Sequence, residues 1–294
     1  MLNLKRKITP YLYLAPCLLF LLVFVYYPIV ENLRYSFFDF SAFSPSKSFV
    51  GFQNFIDLFH DKVFYIALKN NVLYAVISIV CQVFGGLVLA AILEAPITRL
   101  VSGFFRTVFF LPVVISITVI ALLFTFIYDP QIGILNKFLS LIGLEDWTRA
   151  WLGESETAIF AVIAVSQWQS IGYIMMLFIV AIQGIPKELY EAADIDGAGG
   201  IRKFFSITVP QVKEMFFVTT LITLTGAFTV FNEPYILTGG GPGNSSDVLG
   251  TLLYHSAFFE DKMGYASTIA TVILILTLMI SIIQMKLFRT GKDG

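Results

Sequence analysis

The chain has 294 residues, of which 57% are hydrophobic and 13% are charged, and its formal net charge is −1 at pH 7. Soluble domains are nearer half apolar and a quarter charged, so this composition indicates a protein of the lipid bilayer. The near-zero charge gives no support for a nucleic-acid partner. Cys17 and Cys81 both lie in apolar runs, which favours small hydrophobic residues over a disulfide or a metal pair. The distant His60 and His255 likewise argue against a histidine metal site.

Six apolar segments are long enough to cross a membrane, because a spanning helix needs about 20 such residues. The first follows Lys5-Arg6-Lys7 but is too long for a signal-peptide core and lacks a small-residue cleavage site, so we expect a retained signal anchor. The predicted fold is an all-α integral membrane protein. Residues 1–65 would hold the anchor and the first outer loop, and residues 66–294 a five-helix core. The predicted spans are residues 11–30, 66–93, 107–128, 158–183, 215–237 and 265–288.

The distribution of Lys and Arg predicts the orientation of these spans, because basic residues favour the cytoplasmic side. With the amino terminus inside, the cytoplasmic segments hold 12 of the 19 basic residues, and the outer loops hold most of the acids. Both termini are therefore expected in the cytoplasm, as is the loop of residues 184–214 between spans four and five. The cytoplasmic basic residues would be Lys5, Arg6, Lys7, Arg99, Arg106, Lys187, Arg202, Lys203, Lys213, Lys286, Arg289 and Lys292.

Local signals in this loop predict two short helices joined by a glycine turn. Pro186 suits the first turn of a helix, where its missing N–H is not needed. Gly197 supplies a helix stop, and Gly199-Gly200 permit a sharp turn. The second helix is expected to begin near Ile201 and to end before Pro210. Small side chains in the loop would let another backbone approach closely, whereas composition alone is equally compatible with an ordinary solvated loop.

Within the loop, Glu191-Ala192-Ala193 is followed by Asp196-Gly197-Ala198 and, further on, by Pro210. This pattern resembles the cytoplasmic EAA loop of binding-protein-dependent ABC importer permeases. The usual pattern is Glu-Ala-Ala, then Asp-Gly-Ala three positions on, and a closing Ile-x-Leu-Pro; Val209 stands here in place of the Leu. Two further segments, "FNEPYILTGGGPGNSSD" from Phe231 and "RTVFFLPVVIS" from Arg106, resemble the sugar-type members, such as the membrane subunits of maltose and multiple-sugar importers. The residues that match the loop pattern are Glu191, Ala192, Ala193, Asp196, Gly197, Ala198, Phe204, Ile207 and Pro210.

The resemblance implies a type I ABC importer permease fold in the bacterial plasma membrane. It also implies that the loop is a coupling helix that docks on a cytoplasmic ATPase dimer. By the same resemblance, the partners are a second, homologous permease and an extracellular solute-binding protein. The substrate would be a carbohydrate, with an oligosaccharide favoured. The chain itself would hold no cofactor, because ATP and Mg would be bound by the ATPase.

Polar residues inside two spans are candidates for the substrate pathway, because such residues are expensive in a bilayer and usually face a cavity. The fourth span contains Gln167, Trp168, Gln169 and Tyr173, whose amides and rings suit sugar hydroxyls and sugar C–H faces. A second interpretation stays open, in which Gln169 and Tyr173 only satisfy a neighbouring helix.

The fifth span ends in Asn232-Glu233-Pro234-Tyr235, where Pro234 is expected to break the helix. Broken helices are tolerated at membrane depth where their backbone lines a cavity. Asn232, Glu233 and Tyr235 are therefore predicted to lie along the pathway. Alternatively, Glu233 lies at the outer interface, where it is solvated and structural.

Catalytic motifs are missing from the sequence. The glycine run 239–241 is followed by Pro242 and lacks the lysine of a phosphate-binding loop. HExxH, GxSxG and paired-cysteine patterns do not occur. The chain is therefore predicted not to be an enzyme. The alternatives are an importer of glycerol-3-phosphate or another small solute with the same architecture, a stand-alone secondary transporter, for which no internal repeat is visible, and a membrane-bound enzyme.

Overall fold

A computed structural model describes residues 13–43, 46–98 and 100–289. Some of the predicted cytoplasmic basic residues lie outside this part, and so does the side chain of Arg289. They are Lys5, Arg6, Lys7, Arg99 and Lys292. The described chain is overwhelmingly helical, as predicted. It also contains a pair of two-residue antiparallel strands that was not predicted, β1 (Phe38–Asp39) and β2 (Ser48–Phe49), in which Phe38 lies opposite Phe49.

The helices follow the predicted apolar segments closely. Two short 3₁₀ turns, Pro96–Thr98 and Glu145–Trp147, lie in the connections. The helices are α1 (Tyr13–Tyr35), α2 (Gln53–His60), α3 (Lys62–Glu94), α4 (Ser102–Val114), α5 (Ile117–Ile127), α6 (Ile134–Leu141), α7 (Ala158–Gln183), α8 (Lys187–Ile195), α9 (residues 200–211), α10 (Lys213–Thr229), α11 (Asn232–Thr238), α12 (Leu249–Phe258) and α13 (Met263–Arg289).

Four of these helices, α1, α3, α7 and α13, are long and apolar enough to cross a membrane without interruption. Two more spans are bent pairs, with α4 and α5 meeting at 100° and α10 and α11 at 41°. If each pair is one span, the described residues hold six spans. The predicted six-helix membrane fold is therefore confirmed, with edges that shift by only a few residues.

The chain divides into two compact units. One consists of the described residues up to Asp61 together with Leu253–Leu274, and the other of Lys62–Leu252 with the described residues from Ile275 onward. In the first unit, the buried Asn54 side chain donates to the carbonyls of Ser36 and Phe38, both at 3.0 Å, which fixes the start of the β1 turn. The division at residue 65 that the sequence suggested stays a prediction.

In the second unit, α3 and α7 form the main packing contact. Val83 and Leu87 on α3 pack in one buried cluster with Ile174 and Phe178 on α7. Gly86 lets the two helices approach, because a Cβ there would lie 3.2 Å from the Met175 backbone nitrogen. Burying each of these side chains stabilises the folded chain by about 1.5–3 kcal/mol. The α3–α7 pair is therefore the frame on which the other helices of the unit pack.

The third span is not the single helix over residues 107–128 that the sequence predicted. Pro112 lies inside α4 and cannot donate a backbone hydrogen bond to the preceding turn. The helix continues for only two residues past Pro112, and extended backbone follows at Ile115 (ψ 137°) and Ser116 (ψ 133°). The chain thus forms an elbow, and α5 leaves it at 100° to α4.

The break predicted in the fifth span is present, although it precedes Pro234. Helix α10 ends at Thr229, and Val230 and Phe231 leave the helical conformation before α11 begins at Asn232. A proline ring collides with the carbonyl four residues earlier in a continuous helix, which here is that of Val230. Pro234 itself occupies the first turn of α11, where a missing N–H is tolerated.

Candidate functional site

The break between α10 and α11 forms one wall of a cavity of about 270 Å³ in the second unit. Polar and aromatic side chains of α3 and α7 form the facing wall. Glu233 is the only residue with a formal charge among the described lining residues, and no Lys or Arg is among them. The lining residues are Tyr74, Ser78, Gln82, Ser166, Ser170, Tyr173, Ile174, Ile222, Thr223, Gly226, Ala227, Thr229, Val230, Phe231, Asn232 and Glu233.

Three of the residues predicted for the pathway, Tyr173, Asn232 and Glu233, line this cavity together. Glu233 is half-buried, and its carboxylate lies beside the Ser166 hydroxyl. Tyr74 also lies beside Ser166, yet its buried hydroxyl makes no well-formed hydrogen bond within the described residues. The cavity therefore offers hydrogen-bonding groups that a polar molecule could use.

Gln167 lies beside the cavity in a polar cluster between α3 and α7. Its amide nitrogen donates to the Ser78 hydroxyl at 3.1 Å and to the Ile163 carbonyl at 3.0 Å. Its amide oxygen accepts from the Gln82 side chain at 3.0 Å. Because Ser78 and Gln82 themselves line the cavity, Gln167 fixes the orientation of two lining side chains rather than lining it.

The other predicted pathway residues contact neighbouring helices or turns. Gln169 donates to the Ile115 carbonyl at the α4–α5 elbow, at 3.4 Å, which matches the alternative interpretation of this residue as a helix contact. The Trp168 ring packs edge-on against Phe124 of α5, with ring centroids 5.5 Å apart. Tyr235 stacks on Phe231 at 5.0 Å.

The contribution of α3 to the cavity was not predicted from the sequence. Tyr74, Ser78 and Gln82 recur every fourth residue, which places them on one face of a helix. A polar stripe of this kind in an otherwise apolar span is the signal that could have identified them.

A pair of asparagines on the same helix fixes the glycine-rich segment that follows α11. The Asn70 side chain donates to the carbonyls of Ser245 and Asp247, both at 2.8 Å. The buried Asn71 donates to the Ala227 carbonyl at 2.7 Å and accepts from the Leu249 amide at 2.8 Å. Residues 239–241 form a turn there, as predicted, with Gly239 and Gly240 at positive φ. One wall of the cavity is thus tied to this segment.

The predicted coupling loop contains the first expected helix, α8, which begins one residue later than expected, after Pro186. Gly197 has φ +71°. The Gly197 amide donates to the Asp194 carbonyl at 3.1 Å, and the Ala198 amide to the Ala193 carbonyl at 2.8 Å. These bonds form a Schellman motif, which requires a left-handed residue at the position of Gly197. The turn therefore depends on Gly197, whereas Gly199 has an ordinary φ of −66°.

The second helix, α9, does not end before Pro210 as predicted but continues to Gln211. Its middle, Phe204–Thr208, is a π-helix, whose wider turn shifts the carbonyls that a proline ring would otherwise meet. Two contacts stiffen the loop: Lys203 pairs with Asp194 at 2.7 Å, and the Tyr190 hydroxyl bonds the Thr208 hydroxyl at 2.9 Å. Helices α8 and α9 are thereby held together.

The loop presents apolar and small residues to its surroundings. Ile195 is 88% exposed, Ile201 79% and Phe205 65%. Of the predicted coupling residues, Ala193 and Ala198 are half-buried. The others among the predicted coupling residues are exposed, namely Glu191, Ala192, Asp196, Gly197 and Pro210.

The chain thus combines membrane-spanning helices with a polar cavity beside a broken helix and with an exposed loop. These features are typical of a membrane transport protein. The sequence pattern of the "Binding-protein-dependent transport system inner membrane component" family matches residues 82–289. The chain therefore belongs to this family, which consists of ABC importer permeases rather than enzymes.

Individual relatives agree with this assignment. The chain is 68% identical to the probable ABC transporter permease protein YurN of Bacillus subtilis, over 98% of this chain and 99% of that protein. It is 32% identical to the arabinooligosaccharides transport system permease protein AraP of Halalkalibacterium halodurans, over 99% and 90%. A crystal structure of a bacterial ABC transporter that imports the acidic polysaccharide alginate has a TM-score of 0.85 and 25% identity, covering 98% of this chain and 97% of that one.

Proposed function

We propose that this chain is the permease subunit of an ATP-driven importer for a neutral carbohydrate and forms half of its translocation pathway. The observation that carries the proposal is the cavity at the α10–α11 break, which combines hydroxyl, amide and carboxylate groups with aromatic rings and has no Lys or Arg among its described lining residues. Sugars need these groups, because each hydroxyl must be hydrogen-bonded when it leaves water.

The composition of the cavity also disfavours anionic substrates. Glycerol-3-phosphate would need a cation to offset its phosphate, and the described lining residues include only Glu233 as a charged group. The same holds for an acidic sugar. AraP, a relative whose name states arabinooligosaccharides, supports an oligosaccharide. Ligand pockets usually have volumes of about 300–1,000 Å³, so a cavity of about 270 Å³ would hold part of an oligosaccharide and leave the rest to the second permease.

The loop of residues 184–214 is proposed to dock on a cytoplasmic ATPase. Its exposed apolar residues, such as Ile195 and Ile201, would become buried in such a contact. The Lys203–Asp194 and Tyr190–Thr208 contacts join α8 to α9, so the two helices of the loop would move together. The residues proposed to lie at this contact are Glu191, Ala192, Ala193, Asp196, Gly197, Ala198 and Pro210.

Three kinds of protein partner follow from this function. A second, homologous permease would complete the pathway, and two ATPase subunits would bind ATP and Mg. A solute-binding protein, which the family description names as a requirement, would deliver the sugar. Both termini and the docking loop would then lie in the cytoplasm.

Reconstitution tests the function. The chain, its sister permease and their ATPase would be placed in liposomes that enclose ATP, and uptake of labelled arabinooligosaccharides, lactose and glycerol-3-phosphate would be measured with and without the solute-binding protein. We expect uptake of a neutral sugar that requires both ATP and the binding protein. Uptake of glycerol-3-phosphate alone would refute the neutral-carbohydrate assignment, and uptake by the single chain without ATP would support a secondary transporter instead.

A further inference from the structure

The Glu94 carboxylate joins the ends of three helices beside the proposed coupling loop. Its Oε1 accepts a hydrogen bond from Arg106 Nη2 at 2.5 Å and another from Gln183 Nε2 at 3.1 Å. Glu94 is the last residue of α3, Arg106 lies in the first half of α4, and Gln183 is the last residue of α7. One carboxylate therefore connects three elements that are distant in sequence.

The pair is better protected than the other ion pairs of the described residues. The side chains of Arg106 and Glu94 are 29% and 17% exposed, whereas those of Arg149 and Glu154, which lie 3.5 Å apart, are 49% and 38% exposed. The Arg106 Nε is buried and makes no hydrogen bond within the described residues. Because a shielded charge is destabilised when its partner is removed, the positions of Arg106 and Glu94 depend on each other.

Gln183 brings this cluster next to the loop. Only Gly184 and Ile185 separate it from Pro186, which caps α8, and Ile185 is buried in the same hydrophobic cluster as Ile182 and Val212. Movement of the loop would therefore reach the Glu94 carboxylate through a short, packed segment.

Helix α7 contacts α4 and the elbow that follows it at two further positions. A Cβ at Gly172 would collide with the Phe109 carbonyl, so the two backbones are in direct contact there. Higher up, Gln169 donates to Ile115 at the elbow. Helix α5, which leaves the elbow, packs on α11, and α11 carries Glu233. These contacts form a contiguous chain. The Glu94 cluster is the end of that chain nearest the loop.

From this arrangement we infer that Glu94 is a positioning residue for transport, which keeps α4 attached to α7 and α3 when the coupling loop moves. The inference rests on the proposed function, because it requires that an ATPase drives the loop. It assigns to Arg106 and Gln183 the role of holding the Glu94 carboxylate, and none of the three lines the cavity.

The test uses the complete complex in liposomes, in which ATP hydrolysis is measured with and without the solute-binding protein saturated with the arabinooligosaccharide and lactose mixture of the uptake assay. The variants are Glu94→Gln, Gln183→Leu and the exchanged pair Glu94→Arg with Arg106→Glu. We expect Glu94→Gln and Gln183→Leu to lower the stimulation by the binding protein about fivefold or more, the range of ordinary coupling energies. The exchanged pair should recover most of it. Arg149→Gln, in an exposed pair of another loop, is the matched control and should behave as wild type.

Assembly of each variant is followed by co-purification of the ATPase. If Glu94→Gln does not assemble, Gln183→Leu decides the question, because it leaves the Arg106–Glu94 pair intact. Wild-type stimulation in an assembled Gln183→Leu complex would overturn the inference, as would an assembled exchanged pair without recovery. If the wild-type chain binds no ATPase at all, the proposed function fails, and this outcome is distinct from a failure of the positioning role.

Discussion

Single residues set how closely the helices of the second unit approach. Gly172 is the strongest case, because any side chain there would occupy the position of the Phe109 carbonyl. Gly103 on α4 is the opposite case, since a Cβ there would meet no atom within 4 Å. Both positions hold the same residue type, but only Gly172 lacks room for a side chain. This difference is visible only in the packing of α4 on α7.

We expect Gly172→Ala to destabilise the protein by about 1–3 kcal/mol, because overpacking forces the two backbones apart. Gly103→Ala should change stability by less than about 1 kcal/mol and in the stabilising direction, because it restricts the unfolded chain without a clash. Thermal unfolding of the purified protein in detergent measures both. Equal melting temperatures for the two variants would show that α4 and α7 are not in backbone contact.

Glu233 is the residue whose substitution should affect substrate handling most. Glu233→Gln keeps the shape of the side chain but removes the charge, and a hydrogen bond to a charged group contributes about 1.5–3 kcal/mol. This corresponds to an increase of roughly 10- to 100-fold in the sugar concentration needed for half-maximal uptake.

Trp168→Phe is the matched control for this measurement. Trp168 lies on the same wall helix as Tyr173 but packs against Phe124 instead of lining the cavity. Its uptake should stay close to wild type, and the yield of the assembled complex should be unchanged in both variants. A Glu233→Gln protein with normal uptake kinetics would remove Glu233 from the pathway.

At the scale of elements, the shape of the proposed coupling loop depends on one left-handed residue. Gly197 has φ +71°, whereas Gly199 has φ −66°, and neither has an atom near the position of a Cβ. The same substitution at both positions therefore isolates the backbone conformation.

Gly197→Ala should destabilise the end of α8 by about 1–2 kcal/mol, the strain of a left-handed residue with a Cβ, and should loosen the link between ATP hydrolysis and uptake. Gly199→Ala should leave both unchanged. The readout is the amount of sugar taken up per ATP hydrolysed in proteoliposomes. A normal ratio in Gly197→Ala would mean that the Schellman turn is not needed for coupling.

The sequence predicted the membrane spans well because apolar length is a local property. It also predicted that the fifth span breaks and that the loop contains a helix ended by Gly197, since Pro and Gly act on the backbone near them. The elbow at Ile115 and Ser116 was missed because Pro112 lies three residues earlier within a helix that continues past it. The continuation of α9 through Pro210 was missed because a π-helix is not visible in a hydrophobic pattern.

The cavity shows a different limit of prediction. Tyr173, Asn232 and Glu233 were identified from polarity within a span, and the structure brings them together. Whether Gln167 and Gln169 face a cavity or a neighbouring helix depends on side chains of other spans, such as Ser78 and Gln82. A single sequence does not contain that information. A polar residue in a span is expected to have a hydrogen-bond partner, but its own position in the sequence does not identify that partner.

At the scale of the whole molecule, the chain has the features of a subunit of a larger assembly. It belongs to a family of binding-protein-dependent permeases, and its loop exposes apolar side chains such as Ile195 and Ile201. Tagged chain purified from its native membrane in mild detergent should therefore bring an ATPase and a second permease with it. Purification as an active single chain would contradict the proposed assembly.

Sugar uptake by the reconstituted complex is the most direct test of the proposed function. Liposomes would contain the chain, its sister permease and the ATPase, with ATP inside and the solute-binding protein with a labelled neutral oligosaccharide outside. We expect accumulation against a gradient that stops when ATP is replaced by a non-hydrolysable analogue or when the binding protein is omitted. Uptake that continues under both conditions, or that this chain performs alone, would contradict an ATP-driven importer.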